Sequence, residues 1–274
     1  MNLIGQKFFE IGRCIYCGDV DSKLTKEHVV PFGLGGNAII LRKACCEECR
    51  VITSKCERNP ISNNWGEVRA ALDFPSRKRK LAEESFFLDV ILEDGSKRTL
   101  DLKGKETLGL VQFLEYNPPA LFAPNGYKFG IIVTGVKLIG FGINIEDFKK
   151  EHKIKGFSLT TTARGNDFEK MIAKMAYCFT VACWGLDCFD ERYVLPTILN
   201  EKDDVGYWMG CNFDGKIVPL IGKQAGGFVI KISVITYNSG KRNVIVSLKF
   251  FPASEAPEYI VVVGSLKPNF KLPI

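Results

Sequence analysis

The chain has 274 residues, 46% of them hydrophobic and 25% charged, with a formal net charge of +6. This composition excludes a disordered polymer and supplies one large hydrophobic core or two smaller ones. The charge is modest, and four zinc thiolates would lower it further, so bulk charge supports a polyanionic partner only weakly.

Residues 1–13 offer a short apolar segment, read as a strand leading into the first cysteine pair. Cys14-x-x-Cys17-Gly18 has the form of a zinc knuckle, two thiolates on a tight turn closed by glycine. Residues 24–31 read as a strand because Val29 and Val30 favour extended backbone, and Pro31 ends it, which puts His28 at the strand's end. A glycine-rich turn follows at 32–37, and 38–41 resume as a second strand. From Cys46 the pattern is helical up to Asn59-Pro60, with Val51, Ile52 and Cys56 expected on the apolar face. The order is strand, turn, strand, helix.

Residues 61–85 read as a connector. It holds a helix-compatible stretch at 66–72 and ends in the basic run Arg77-Lys-Arg-Lys80, which is a solvated linker or a phosphate contact. A domain boundary is placed near residue 84, giving domains 1–84 and 85–274. In the second, segments 86–92 and 97–102 flank Glu93-Asp94-Gly95-Ser96, a hairpin signal. Further strands are expected at 129–138, 157–162, 227–237, 243–250 and 259–264, with a second hairpin turn at Tyr237-Asn-Ser-Gly240-Lys241. One long helix interrupts them. Asn166 or Asp167 can cap it; Phe168, Met171, Ile172, Met175, Ala176 and Phe179 form its core stripe, and Gly185 stops it. The longest apolar runs, 130–136 and 259–264, fall short of the roughly 18 residues of a membrane span. No membrane segment is expected, and without a secretory leader at 1–7 a cytoplasmic location follows by default.

Six of the ten cysteines lie within the first 56 residues. Cys14, Cys17, Cys46 and Cys49 supply four soft ligands in two matched pairs, which suits a closed tetrahedral structural Zn2+. Cys45 is assigned to the core because only Cys46 keeps the two-residue gap to Cys49. The remaining Cys178, Cys183, Cys188 and Cys211 read as buried thiols. Glu27 and His28, one of two histidines in the chain, sit inside the segment the zinc would hold rigid.

These residues resemble the HNH endonucleases, in particular the bacterial branch with Cys-x-x-Cys knuckles around Glu27-His28-Val29-Val30-Pro31 and Gly35-Gly36; the resemblance covers roughly residues 14–60. It implies a ββα-metal fold, so the expected class is α+β: an N-terminal zinc-bound ββα unit followed by a larger, mostly antiparallel β domain with a long helix. It also implies that His28 is the general base on water and that Glu27 helps hold a catalytic Mg2+ or Mn2+ ion. Family members place asparagine or histidine after the last zinc cysteine, where this chain has Arg50, which has no lone pair to offer a metal. Ser54 or Glu57, each about a turn further along, are the candidate replacement ligands, and Arg50 is a phosphate clamp or an exposed helix residue. The implied partner is DNA, with RNA as the alternative substrate. A homo-oligomer, or a phage-defence or restriction partner, fits the same resemblance. The competing expectation is a zinc-knuckle nucleic-acid-binding protein without catalysis.

Overall fold

A computed structural model describes residues 10–34, 39–76, 81–122, 131–158, 166–211, 219–225 and 227–273. The basic run 77–80 and the residues Gly35, Gly36 and Asn37 lie outside them.

The N-terminal unit is built from strands β1 (Thr25–His28) and β2 (Ile40–Cys45) and helix α1 (Glu47–Asn59). β1 and β2 pair antiparallel, and the segment before the first knuckle runs along β2, with Ile11 N–H donating to the Arg42 carbonyl and Ile15 N–H to that of Ala44. The buried face of α1 is Cys49, Thr53 and Cys56, while Val51 is exposed, a correction to the sequence-based face. Cys49 lies on this inward face, where its sulfur meets those of Cys14, Cys17 and Cys46. Beyond Asn59 the backbone continues through one π turn into α2 (Gly66–Ala71). The connector is therefore structured: Trp65 and Val68 are fully buried, and the Arg69 guanidinium donates to the carbonyls of Gly33 and Pro75.

The rest is mixed α and β with antiparallel pairing. β3 (Ser85–Leu92) and β4 (Lys97–Lys103) form the expected hairpin, turned at Gly95 with a φ of +85° that favours glycine. A second ribbon joins β5 (Gly109–Tyr116) to β6 (Val133–Phe141). Helix α3 (Ile145–His152), capped by the Asn144 side chain, leads into β7 (Ile154–Ser158), which pairs with β3. Then comes α4 (Asp167–Trp184), 18 residues long, ending at Gly185. It is followed by β8 (Phe189–Arg192), short helices α5 (Leu195–Ile198) and α6 (Val205–Trp208), β9 (Met209–Gly210), β10 (Ile221–Ala225), β11 (Phe228–Thr236), β12 (Arg242–Phe250) and β13 (Glu258–Leu266). The largest sheet has the order β10-β11-β12-β13-β8, with β9 also on β13. Among the described residues, no helix is long and apolar enough to cross a membrane.

α4 positions everything that follows. It is buried on nearly all sides, as a helix enclosed between layers must be. One side packs on the large sheet and the other on the N-terminal unit. A single hydrophobic cluster runs from Cys14, Ile15 and Tyr16 through Met171, Met175 and Phe179 to Ile230, Val246 and Val261.

Candidate metal centre and the Glu27–His28 site

The first knuckle is a tight turn in which the Gly18 N–H donates to the Cys14 carbonyl at 2.9 Å, with Gly18 at a φ of +83°. The second pair opens a helix: Cys46 is the N-cap of α1 and Cys49 lies in its first turn, where the helix dipole favours thiolate charge. Pairing of the leading segment with β2 carries the two knuckles together. The four sulfurs lie within 4.8 Å of one another, and those of Cys17 and Cys46 are 3.7 Å apart. Tetrahedral zinc with Zn–S bonds near 2.3 Å places its sulfurs roughly 3.8 Å apart. The four cysteines can therefore hold one zinc ion.

Protonation in the cluster is uneven. A hydrogen bond from Cys45 is the main cause that brings Cys14 down to about 3. Burial, and then the charge of Cys14, push Cys49 up, and burial also raises Cys17. Sulfurs this close do not all ionise without a cation between them. Cys45 is fully buried, and its hydrogen bond to Cys14, then burial, then the charge of Glu27 hold its proton on. It donates to the cluster instead of joining it.

The second cluster is made of oxygen and nitrogen. Glu27 and His28 are both buried, at 7% and 8% exposure, although neighbouring strand residues ordinarily face opposite ways. The ladder is irregular here: Thr25 pairs with Cys45 but Glu27 with Leu41, so β2 carries two extra residues, one of them Lys43 at a φ of +45°. The Glu27 side chain folds back, and its Oε1 accepts the His28 N–H at 3.0 Å. The His28 ring stands edge-on to Phe32 with centroids 6.2 Å apart.

Lys174, from the middle of α4, enters this site. Its Nζ is 2.6 Å from Glu27 Oε1, donates to the His28 carbonyl at 3.1 Å, and donates to the Glu57 carboxylate from α1. Three acceptors thus meet the three hydrogens of one ammonium that is 1% exposed. Burial works against the charge, but Glu27 and Glu57 outweigh it and hold the lysine protonated well above its usual range.

Among the predicted residues, Glu27, His28 and Glu57 are brought together. Ser54 turns its hydroxyl back to the Val51 carbonyl at 3.2 Å, and Arg50, half exposed, is paired with Glu47 at 2.7 Å. Lys174 was missed. The signal was present: it lies three residues after Met171 and four before Cys178, a cation on an apolar stripe. Compared with protein-family models, curated proteins and solved structures, the chain matches none.

Proposed function

We propose that the chain is an HNH-type, metal-dependent endonuclease that hydrolyses phosphodiester bonds of DNA at His28. What supports this reading most is the convergence of Glu27, at the end of β1, and Glu57, on α1, on one cation position beside the backbone of His28. Carboxylate oxygens are hard donors that suit Mg2+ or Mn2+ and not the thiolate cluster. The bound ion would supply charge stabilisation at the scissile phosphate and the leaving oxygen. The chain's residues do the rest. The His28 imidazole takes a proton from the attacking water. Glu27 and Glu57 would hold the ion. Arg50, exposed on the first half of α1, is the phosphate contact of this reading. The four-cysteine cluster fixes the two ends of the unit and takes no part in the chemistry.

The test is cleavage of plasmid DNA with Mg2+ or Mn2+. Wild type should cut, and His28→Ala should not, while its zinc content stays at one per chain. Equal inertness of both proteins across divalent ions would sink the reading.

A second reading is favoured by one observation. Lys174 already stands between Glu27 and Glu57, as befits a zinc-stapled nucleic-acid-binding protein without catalysis. It predicts salt-dependent DNA binding that is indifferent to His28→Ala and to Mg2+.

A further inference from the structure

We infer that Lys174 is a resident cation at the Glu27–Glu57 pair, which positions both carboxylates and competes with a divalent ion for them. The geometry is that of a filled cation site. The ammonium touches one carboxylate oxygen from β1, one from α1 and a backbone carbonyl, hard oxygens of the kind that bind Mg2+ or Mn2+. It is buried and fixed by α4, a helix packed on both sides, so it does not drift out of the site as a surface lysine would. A divalent ion at the same oxygens would sit within a few ångströms of a fixed positive charge in a largely buried site, where Lys174 is 1% and Glu57 21% exposed and like charges repel more than in water. The ion therefore binds only to the extent that Lys174 gives way. Removing the ammonium takes away the buried positive charge that Glu27 and Glu57 share, which favours another cation at the same oxygens.

The inference rests on the nuclease reading for its choice of Glu27 as cation ligand, but binding is measured apart from cleavage. Mn2+ is titrated into the zinc-loaded full chain, and free Mn2+ is read by electron paramagnetic resonance. Lys174→Met, which keeps the unbranched stem of the side chain, one atom shorter, without its charge, should bind one Mn2+ about tenfold or more tighter than wild type. Adding Glu27→Gln should abolish that gain, and Lys174→Arg should behave as wild type. Wild type binding a Glu27-dependent Mn2+ as tightly as Lys174→Met overturns the inference, as does a folded, zinc-loaded Lys174→Met that binds none.

If Lys174→Met fails to retain zinc, wild type against Glu27→Gln decides. Glu27-dependent Mn2+ uptake by wild type at micromolar concentration overturns the inference, and its absence upholds it. If Lys174→Met gains a Mn2+ ion yet neither protein cuts DNA, the nuclease reading fails and this one stands. If DNA is cut with Mn2+ but binding is unchanged by Lys174→Met, the reverse holds.

Discussion

The hydroxyl of Tyr177, in the middle of α4, donates to the carbonyl of Ile15, between the two cysteines of the first knuckle. The same face of α4 sets the Cys178 sulfur 3.4 Å from the Tyr16 hydroxyl, and just past its end Asp187 pairs with Arg13 at 2.7 Å. The knuckle is thus part of the wall of the central core, and a metal bound there would act on the whole fold. Stripping zinc with a strong chelator, or Cys49→Ser, should lower the melting temperature of the entire chain in one calorimetric transition. A protein that loses zinc and shows a separate early transition for the N-terminal unit, with the main one unmoved, would contradict this coupling.

Tyr177→Phe tests the link itself. The phenol is buried, and its removal leaves the Ile15 carbonyl with only a long 3.5 Å contact to Arg192. The cost should be about 1–2 kcal/mol in urea denaturation, the usual penalty for stripping one partner from a buried hydrogen bond. Aromatic packing of the ring against Phe189, with centroids 5.7 Å apart, survives in the variant, so a larger loss would mean that the knuckle itself has come apart.

Zinc uptake should release protons and strengthen as pH rises. Cys17 and Cys49 have pKa values raised by burial, so both still carry protons near neutral pH, whereas Cys14 is already a thiolate. Binding needs all four sulfurs deprotonated. Calorimetric titration in two buffers of different ionisation enthalpy should therefore report net proton release, and the apparent zinc affinity should climb from pH 6 to pH 8. An affinity flat over that range would mean that the ligands are deprotonated beforehand.

The parts legible in the sequence were those with local causes. Two matched cysteine pairs needed only their spacing, and the hairpin at Gly95 and the stop at Gly185 needed only a residue that tolerates positive φ. The buried face of α1 was misjudged because apolarity favours Val51, while the face turned inward is that of Cys49, Thr53 and Cys56, the side on which Cys49 meets the other three cysteines. The role of Lys174, as distinct from its place on an apolar stripe, was hidden for a different reason. Its partners Glu27 and Glu57 lie more than a hundred residues away, and no periodicity links a lysine on one helix to carboxylates on another element. The three long strands of the large sheet, β11, β12 and β13, by contrast, were visible as β-branched runs, and β12 and β13 are buried on both faces or nearly so. The strands β8, β9 and β10, short and without such runs, were not visible.

Glu67, on α2, supplies the pH dependence that is simplest to isolate. Burial alone raises its carboxyl to about 7. In the unfolded chain the same group titrates near the ordinary glutamate value of about 4.3. Between these two pH values the unfolded state has released the proton that the folded state keeps, so stability falls as pH rises. The contribution is fully present below the unfolded value and is lost once pH passes about 7. Because the side chain retains some contact with water, the effect should be about 1–2 kcal/mol, less than full linkage would give. Glu67→Gln has no proton to lose, so its stability should match wild type below about pH 4, where both states keep the proton, and exceed it near pH 8. Glu169, raised by burial and held by the Tyr116 hydroxyl, contributes a slope of the same sign to both proteins and cancels in the comparison. Urea midpoints measured for the pair from pH 5 to pH 8 should diverge steadily; parallel curves would place the Glu67 carboxylate in solvent in the folded state.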